Sequence, residues 1–161
     1  MQNAKDSFYL ALRSRLAGIN PERTVLVRGS LRPGILLEEA EAPFPQLPPD
    51  VFVVRWLGLG AEMDLSSTMV AVECEIAYCT SGTHAFGGLD RGRLLTGMDR
   101  ELLAILRPFS TPKLNYSMQP PATMGTQVFW DEPIFTPINA QHDRLIRSIR
   151  MTVYSYEEQG E

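Results

Sequence analysis

The chain predicts an α+β fold, a small mixed, mostly antiparallel sheet flanked by two main helices. Three observations carry that expectation. Residues 68–79 alternate, with Val70, Val72, Cys74, Ile76 and Tyr78 on one face and Met69, Ala71, Glu73, Glu75 and Ala77 on the other. Such period-2 patterning marks a strand with one core face and one wetter face. Residues 94–107 place Leu94, Leu95, Met98, Leu102, Ile105 and Leu106 within an arc of about 120°, the stripe of a helix packed on a sheet. No succession of strand–helix units runs through the rest, so a doubly wound parallel sheet is excluded.

Taken in order, a first helix is expected to begin near Ser7, whose hydroxyl suits an N-cap. It carries Phe8, Leu12, Leu16 and Ile19 on one stripe, with Arg13 and Arg15 facing away, and ends at Gly18 and Pro21. Residues 24–27 read as a short strand, with Arg28, Gly29 and Arg32, Pro33, Gly34 marking a turn or exposed connection. Residues 38–50 are acidic and proline-rich and predict a surface loop. Residues 51–56 form a β-branched and aromatic strand, and 58–64 a turn-prone link to the long strand. After the second helix, Pro108 imposes a stop, and 109–127, with Pro112, Pro120 and Pro121, predicts a long loop or arm. Residues 128–135, interrupted by Pro133, read as an edge strand, and 147–157 as a last strand alternating Ile149, Met151 and Val153 against Arg150, Thr152, Tyr154 and Tyr156. The tail 158–161 is expected to fray.

The whole chain of 161 residues fits one domain, 1–161, with extended loops near 38–50 and 109–127. At this length roughly two-thirds of the unfolded surface can be buried, so a core forms without disulfides. The absence of an apolar run of membrane length or of a basic start before an apolar segment predicts a cytoplasmic, non-membrane chain. A net charge of −4 and a pI near 5.2 argue against a dedicated nucleic-acid binder, whose affinity comes from a basic stripe. Cys74 and Cys79 point to opposite faces of one strand and read as reduced, buried thiols.

The residues offer little chemistry. The loop 80–88, TSGTHAFGG, lies between a strand and a helix, where amides could hold a phosphate, yet Gly82, Gly87 and Gly88 do not make a dinucleotide or P-loop pattern. It reads as a mobile surface or interface loop. His84 and His142 are far apart in sequence, a metal site could at best assemble one of them with Cys79 or a carboxylate such as Asp90, and zinc-finger ligand spacing is absent, so no metal and no cofactor is expected. Ser81 or Ser66 could serve a hydrolytic triad only with partners that no nucleophile-elbow sequence supplies. Glu73 and Glu75, about 7 Å apart on one strand face, suit acid–base work but more ordinarily pair across strands. Arg91, Arg93, Arg100 and Arg107 around the second helix form a solvated face that can meet an acidic partner.

The order of elements resembles one family. A helix SFYLALRSRLAGI, early strands, the strand and loop ECEIAYCTSG, the helix DRGRLL onward, and the paired VFWDEPIFTP and IRMTVYSYEE look like the tail terminator, or tail completion, proteins of tailed bacteriophages and related contractile tails. The resemblance implies a non-enzymatic virion assembly protein, made in the host cytoplasm and located in the virion tail. It implies a homo-oligomeric ring, a hexamer in that family, which caps the tail tube protein, halts its polymerisation and meets the neck or connector protein. The candidate interface is His84, Phe86, Arg91, Arg93 and Arg100. The alternative is a small cytoplasmic enzyme or ligand-binding module using loop 80–88, with His84, Asp90 and Glu75 lining a pocket.

Overall fold

The computed structural model describes residues 1–41, 46–63 and 68–158, the side chains of 61–63 apart. The chain opens with helix α1 (Gln2–Ile19) and a hairpin of β1 (Thr24–Val27) and β2 (Ser30–Pro33). Then come β3 (Ile35–Leu37), the one-turn α2 (Glu38–Glu41), β4 (Phe52–Met63), β5 (Thr68–Thr80) and α3 (Arg91–Leu106). It closes with β6 (Ser110–Asn115), β7 (Ala122–Trp130), β8 (Ile134–Phe135), β9 (Asn139–Gln141) and β10 (Arg144–Tyr156). The main sheet runs β3-β4-β5-β10-β7-β6, and β8 and β9 pair further along β10. Only β3 and β4 are parallel among its described pairs. The α+β expectation, an antiparallel-dominated sheet with two long helices, therefore holds.

The alternation in 68–79 works as read. Val70, Val72, Cys74, Ile76 and Tyr78 are buried, and β10 supplies Ile149, Met151 and Val153 beside them. Phe8 of α1 enters this core, its ring 5.0 Å from Trp130 edge-on and 5.6 Å from Trp56, contacts of about 0.5–1.5 kcal/mol each beyond burial. On the opposite face β1 covers one end through Val25 and Val27 against Leu36, Val51 and Val53. The remainder of that face carries charge.

The sheet curls around α1, which touches both of its margins. At β6 the Leu114 amide donates to Ser7 Oγ (2.9 Å) and the Tyr116 amide to Asn3 Oδ1 (3.2 Å). At β3 the Tyr9 hydroxyl donates to the Ile35 carbonyl (3.0 Å), and the Leu37 amide to Glu41 Oε2 (3.1 Å). Glu41 Oε2 shares that one hydroxyl proton with Ile35 O and takes an ion pair from Arg32, tying the β1–β2 hairpin to α1 and α2. Burial opposes ionisation of Glu41, but the bonds from Arg32, Tyr9 and Leu37 outweigh it and hold its carboxyl below the ordinary value.

Several expectations are corrected. Helix α1 starts at Gln2 rather than near Ser7; Ser7 lies mid-helix, where its hydroxyl donates to Asn3 O and serves β6 instead of a cap. Ile19 is exposed, and Arg15 does not face away: it reaches the end of α3, donating to the carbonyls of Ile105, Pro108 and Ser110. Arg32 and Pro33 belong to strand β2 rather than a connection, because Leu31 and Arg32 pair with Leu26 and Val25. In 38–50 the first four residues are helical, 42–45 lie outside the described residues, and 46–50 have no regular structure. The link 58–64 is strand through Met63, since a bulge between Trp56 and Gly58 lets β4 follow its long partner past two glycines.

The arm expected at 109–127 is instead most of the β6–β7 pair. Pro112 is tolerated because β6 is the marginal strand and its register shifts between Pro112 and Leu114. Residues 128–135 are not an edge strand: β7 lies between β10 and β6, and Pro133 falls between β7 and β8. Glu158 is anchored, accepting the amides of Gly125 (3.2 Å) and Thr126 (2.7 Å); the expectation for 159–161 lies outside the described residues.

Candidate functional site

The segment joining β5 to α3 is a built knuckle. Thr80 ends the strand, and the chain makes a single 3-10 turn, His84–Phe86, before α3. Asp90 stands at the helix start, but its carboxylate turns back: Oδ1 accepts the Thr83 amide (2.9 Å) and Oδ2 the Thr83 hydroxyl (2.8 Å). Those bonds, the amide first, hold the Asp90 carboxyl below the ordinary carboxylate range. The Gly88 amide donates to Thr83 O (3.1 Å), closing the loop. Gly82, at φ +78°, is required by proximity as well as conformation, since a Cβ there would lie 2.7 Å from Asp90 Oδ1 and from Gly88 Cα. The expected mobile loop is thus cross-braced.

What the knuckle shows to solvent is apolar and basic. Phe86 is 59% exposed and Leu89 93%. A hydrophobic residue just before a helix cap commonly packs on the first turn; Leu89 does not. Arg93 lies with its guanidinium 5.8 Å from the Phe86 ring centroid. Arg93 and Arg100, seven positions apart, share the solvent side of α3, while Leu95, Met98, Leu102, Ile105 and Leu106 are buried on the other. Arg91 folds over Gly88, and its Nε is buried with no hydrogen-bond partner among the described residues. The five candidate interface residues, His84, Phe86, Arg91, Arg93 and Arg100, therefore sit on the knuckle and the adjoining helix. Leu89 was not foreseen, because an isolated leucine beside a helix start reads as core.

The rival pocket is not brought together. An open depression of ≈ 410 Å³ beside the knuckle is lined by Ser81, Thr83, His84, Arg91 and Asp143. Asp90 is committed to Thr83, and Glu75 sits elsewhere, five residues back along β5. There Glu75 is one rung of a charged ladder across the sheet face opposite α1 and α3. It accepts from Ser148 Oγ (3.0 Å), pairs with Arg55 (3.3 Å) and Arg150 (3.5 Å), and Arg55 pairs with Glu38 (2.7 Å). Arg55 and Arg150 are its direct register partners, so cross-strand pairing is the role of this carboxylate. Glu73 on the same face is exposed.

His142 lies in the turn between β9 and β10, lining with Asp143 and Arg144 a second open depression. Cys74 and Cys79 are both buried and free, facing opposite sides as expected, with thiol pKa values pushed up by burial. Ser66 lies outside the described residues. Among the described residues no three His, Cys, Asp or Glu side chains are grouped to hold a metal, and no helix is long and apolar enough to cross a membrane.

A second feature of the surface is a groove of ≈ 210 Å³ on β5 and β10, walled by Leu57, Glu73, Asp131, Glu132, Ile134 and Arg150. Ile134 is 72% exposed there. No model of a known protein family matches the chain, and no curated protein does.

Proposed function

We propose that this chain is a non-catalytic assembly protein, a ring-forming terminator of phage-type tails that caps the tube, stops its growth and joins it to the neck. The observation that supports the reading is the braced knuckle at residues 80–90. Holding Phe86 and Leu89 in water costs solvation and serves no core. A pre-ordered apolar anchor beside a cation is what a protein contact uses, because little conformational freedom is lost on docking. The order of elements along the chain points the same way. In this reading the knuckle and the basic side of α3, with His84, Phe86, Arg91, Arg93 and Arg100, form the assembly face, and the protein resides in the virion tail as a homo-oligomer, a hexamer by the family resemblance.

The test is polymerisation of the cognate tube protein with and without this chain, followed by electron microscopy. Capped tubes of arrested length with density at one end are expected. Tubes that grow unchanged in a molar excess of the protein would refute the function.

A further inference from the structure

The knuckle has a complement on the same molecule that it cannot reach. The groove beside Ile134 offers apolar walls, Leu57 and Ile134, rimmed by the carboxylates of Glu73, Asp131 and Glu132 with Arg150 as its cation. The knuckle offers Phe86 and Leu89 beside Arg93, with Arg91 behind it. Shape class and charge are opposite: projecting, apolar and basic against recessed, apolar and acidic. The groove lies at Glu73 and Cys74 of β5, whereas the knuckle begins after Thr80, about 20 Å further along a strand rising roughly 3.3 Å per residue. One chain cannot close that distance with side chains.

We infer that the knuckle of one copy seats in the Ile134 groove of a second copy, Leu89 entering between Leu57 and Ile134 and Arg93 facing the Glu73, Asp131 and Glu132 rim. The inference rests on the reading of the knuckle as an assembly face and names its occupant. Because the two surfaces differ, the groove midway along β5 and the knuckle beyond its end, the contact is heterologous. It propagates head to tail, and closes into a ring if the rotation between copies allows. The Asp131 carboxylate stays in place for this role, since its Oδ1 accepts the Thr152 amide (2.7 Å).

The experiment uses two singly disabled proteins. Leu89→Asp spoils the knuckle and leaves the groove; Ile134→Asp spoils the groove and leaves the knuckle. Both positions are exposed, so both variants should match the wild-type melting curve, and Glu73→Arg replaces Ile134→Asp if the latter does not. By analytical ultracentrifugation at high concentration, without tube protein, the wild type should form species larger than a dimer, less so as salt rises and screens the charges. Each variant alone should associate about tenfold more weakly or worse. Mixed in equal amounts, the two should form a complex of one copy each and nothing larger, because only one intact knuckle meets one intact groove. A strictly monomeric wild type would overturn the inference. So would variants that associate as the wild type does, or a mixture that stays monomeric while the wild type assembles. If the pairing holds but tubes grow uncapped, only the tail function fails; if tubes are capped while both variants assemble normally, only this contact fails.

Discussion

Arg15 is the side chain whose loss should reveal how the two helices and the sheet are joined. Its guanidinium donates to the carbonyl of Ile105 (2.9 Å) in the last turn of α3, to Pro108 (3.0 Å) and to Ser110 (2.8 Å) where β6 begins, and it lies 5.5 Å over the Trp130 ring. It is a cation at a helix C-terminus, satisfying carbonyls that the helix leaves unpaired. In Arg15→Met the packing over Trp130 is largely kept, so the change reads the hydrogen bonds. The Pro108 bond is exposed and water replaces it cheaply, whereas the Ile105 and Ser110 bonds are partly buried. At about 1–1.5 kcal/mol for each of those two, the loss is about 2–3 kcal/mol. For a chain of this length that is about 4–12 °C of melting temperature. Calorimetry and urea melts should agree, with an unchanged urea slope. Arg15→Lys should recover only part of the loss, one ammonium being unable to span three carbonyls. A loss under about 0.5 kcal/mol in Arg15→Met, the range of ordinary surface changes, would show that solvent does the work assigned to the guanidinium.

Three further outcomes are expected. Leu102→Ala, at a fully buried position of α3, should cost about 2–5 kcal/mol through lost burial and a residual cavity, whereas Arg93→Glu and Arg100→Glu should each stay within about 0.5 kcal/mol; equal damage in thermal melts would invert the orientation assigned to α3. Glu41 has a carboxyl pKa below its ordinary 4.5, so its contribution is complete above that value and is lost as pH falls through the depressed pKa. Glu41→Gln should therefore be less stable than wild type at about pH 7 and converge on it in more acidic solution; a gap that widens on acidification in urea melts would contradict the sign. Cys74 and Cys79, buried and with raised pKa values, should give no thiol signal with Ellman's reagent in the native state and two per chain in denaturant, and prompt native reaction of either would mean the β5 face opens.

The parts of the fold visible in the sequence are those where burial differs sharply between neighbours. Residues 68–79 and the α3 stripe announce themselves because one face is dry and the other wet. Strand β7 does not, because its first six residues alternate only between exposed and half-buried positions. Its partner β6 is masked by Pro112, which marks a margin rather than the loop it suggests. Contacts made over long separations leave no local trace: nothing near Arg15 signals carbonyls about ninety positions away, and nothing near Ser7 signals the amide of Leu114. At the site, His84, Phe86, Arg91, Arg93 and Arg100 were legible as a loop and a solvated helix side. The bracing of Thr83 by Asp90 was not, since an aspartate at a helix start ordinarily caps its own helix. Leu89 was hidden by the general rule that leucine goes inside, a rule with many exceptions at surfaces.

The blocking of backbone groups on β3 and beside β6 by α1 and Glu41 bears on how this molecule behaves when crowded. Open strand edges recruit further strands indefinitely, and the product is insoluble and hard to reverse. Here Tyr9 and Glu41 hold the Ile35 carbonyl and the Leu37 amide of β3, and Ser7 and Asn3 hold the Leu114 amide of β6 and the Tyr116 amide just past it. At these positions copies that meet are left with side chains as their means of adhesion. Such contacts saturate when each surface finds its mate, respond to salt and dilution, and can be abolished by one substitution. Asn3→Ala with Ser7→Ala, which unblocks these amides at the β6 margin, should raise thioflavin-positive aggregation on mild heating.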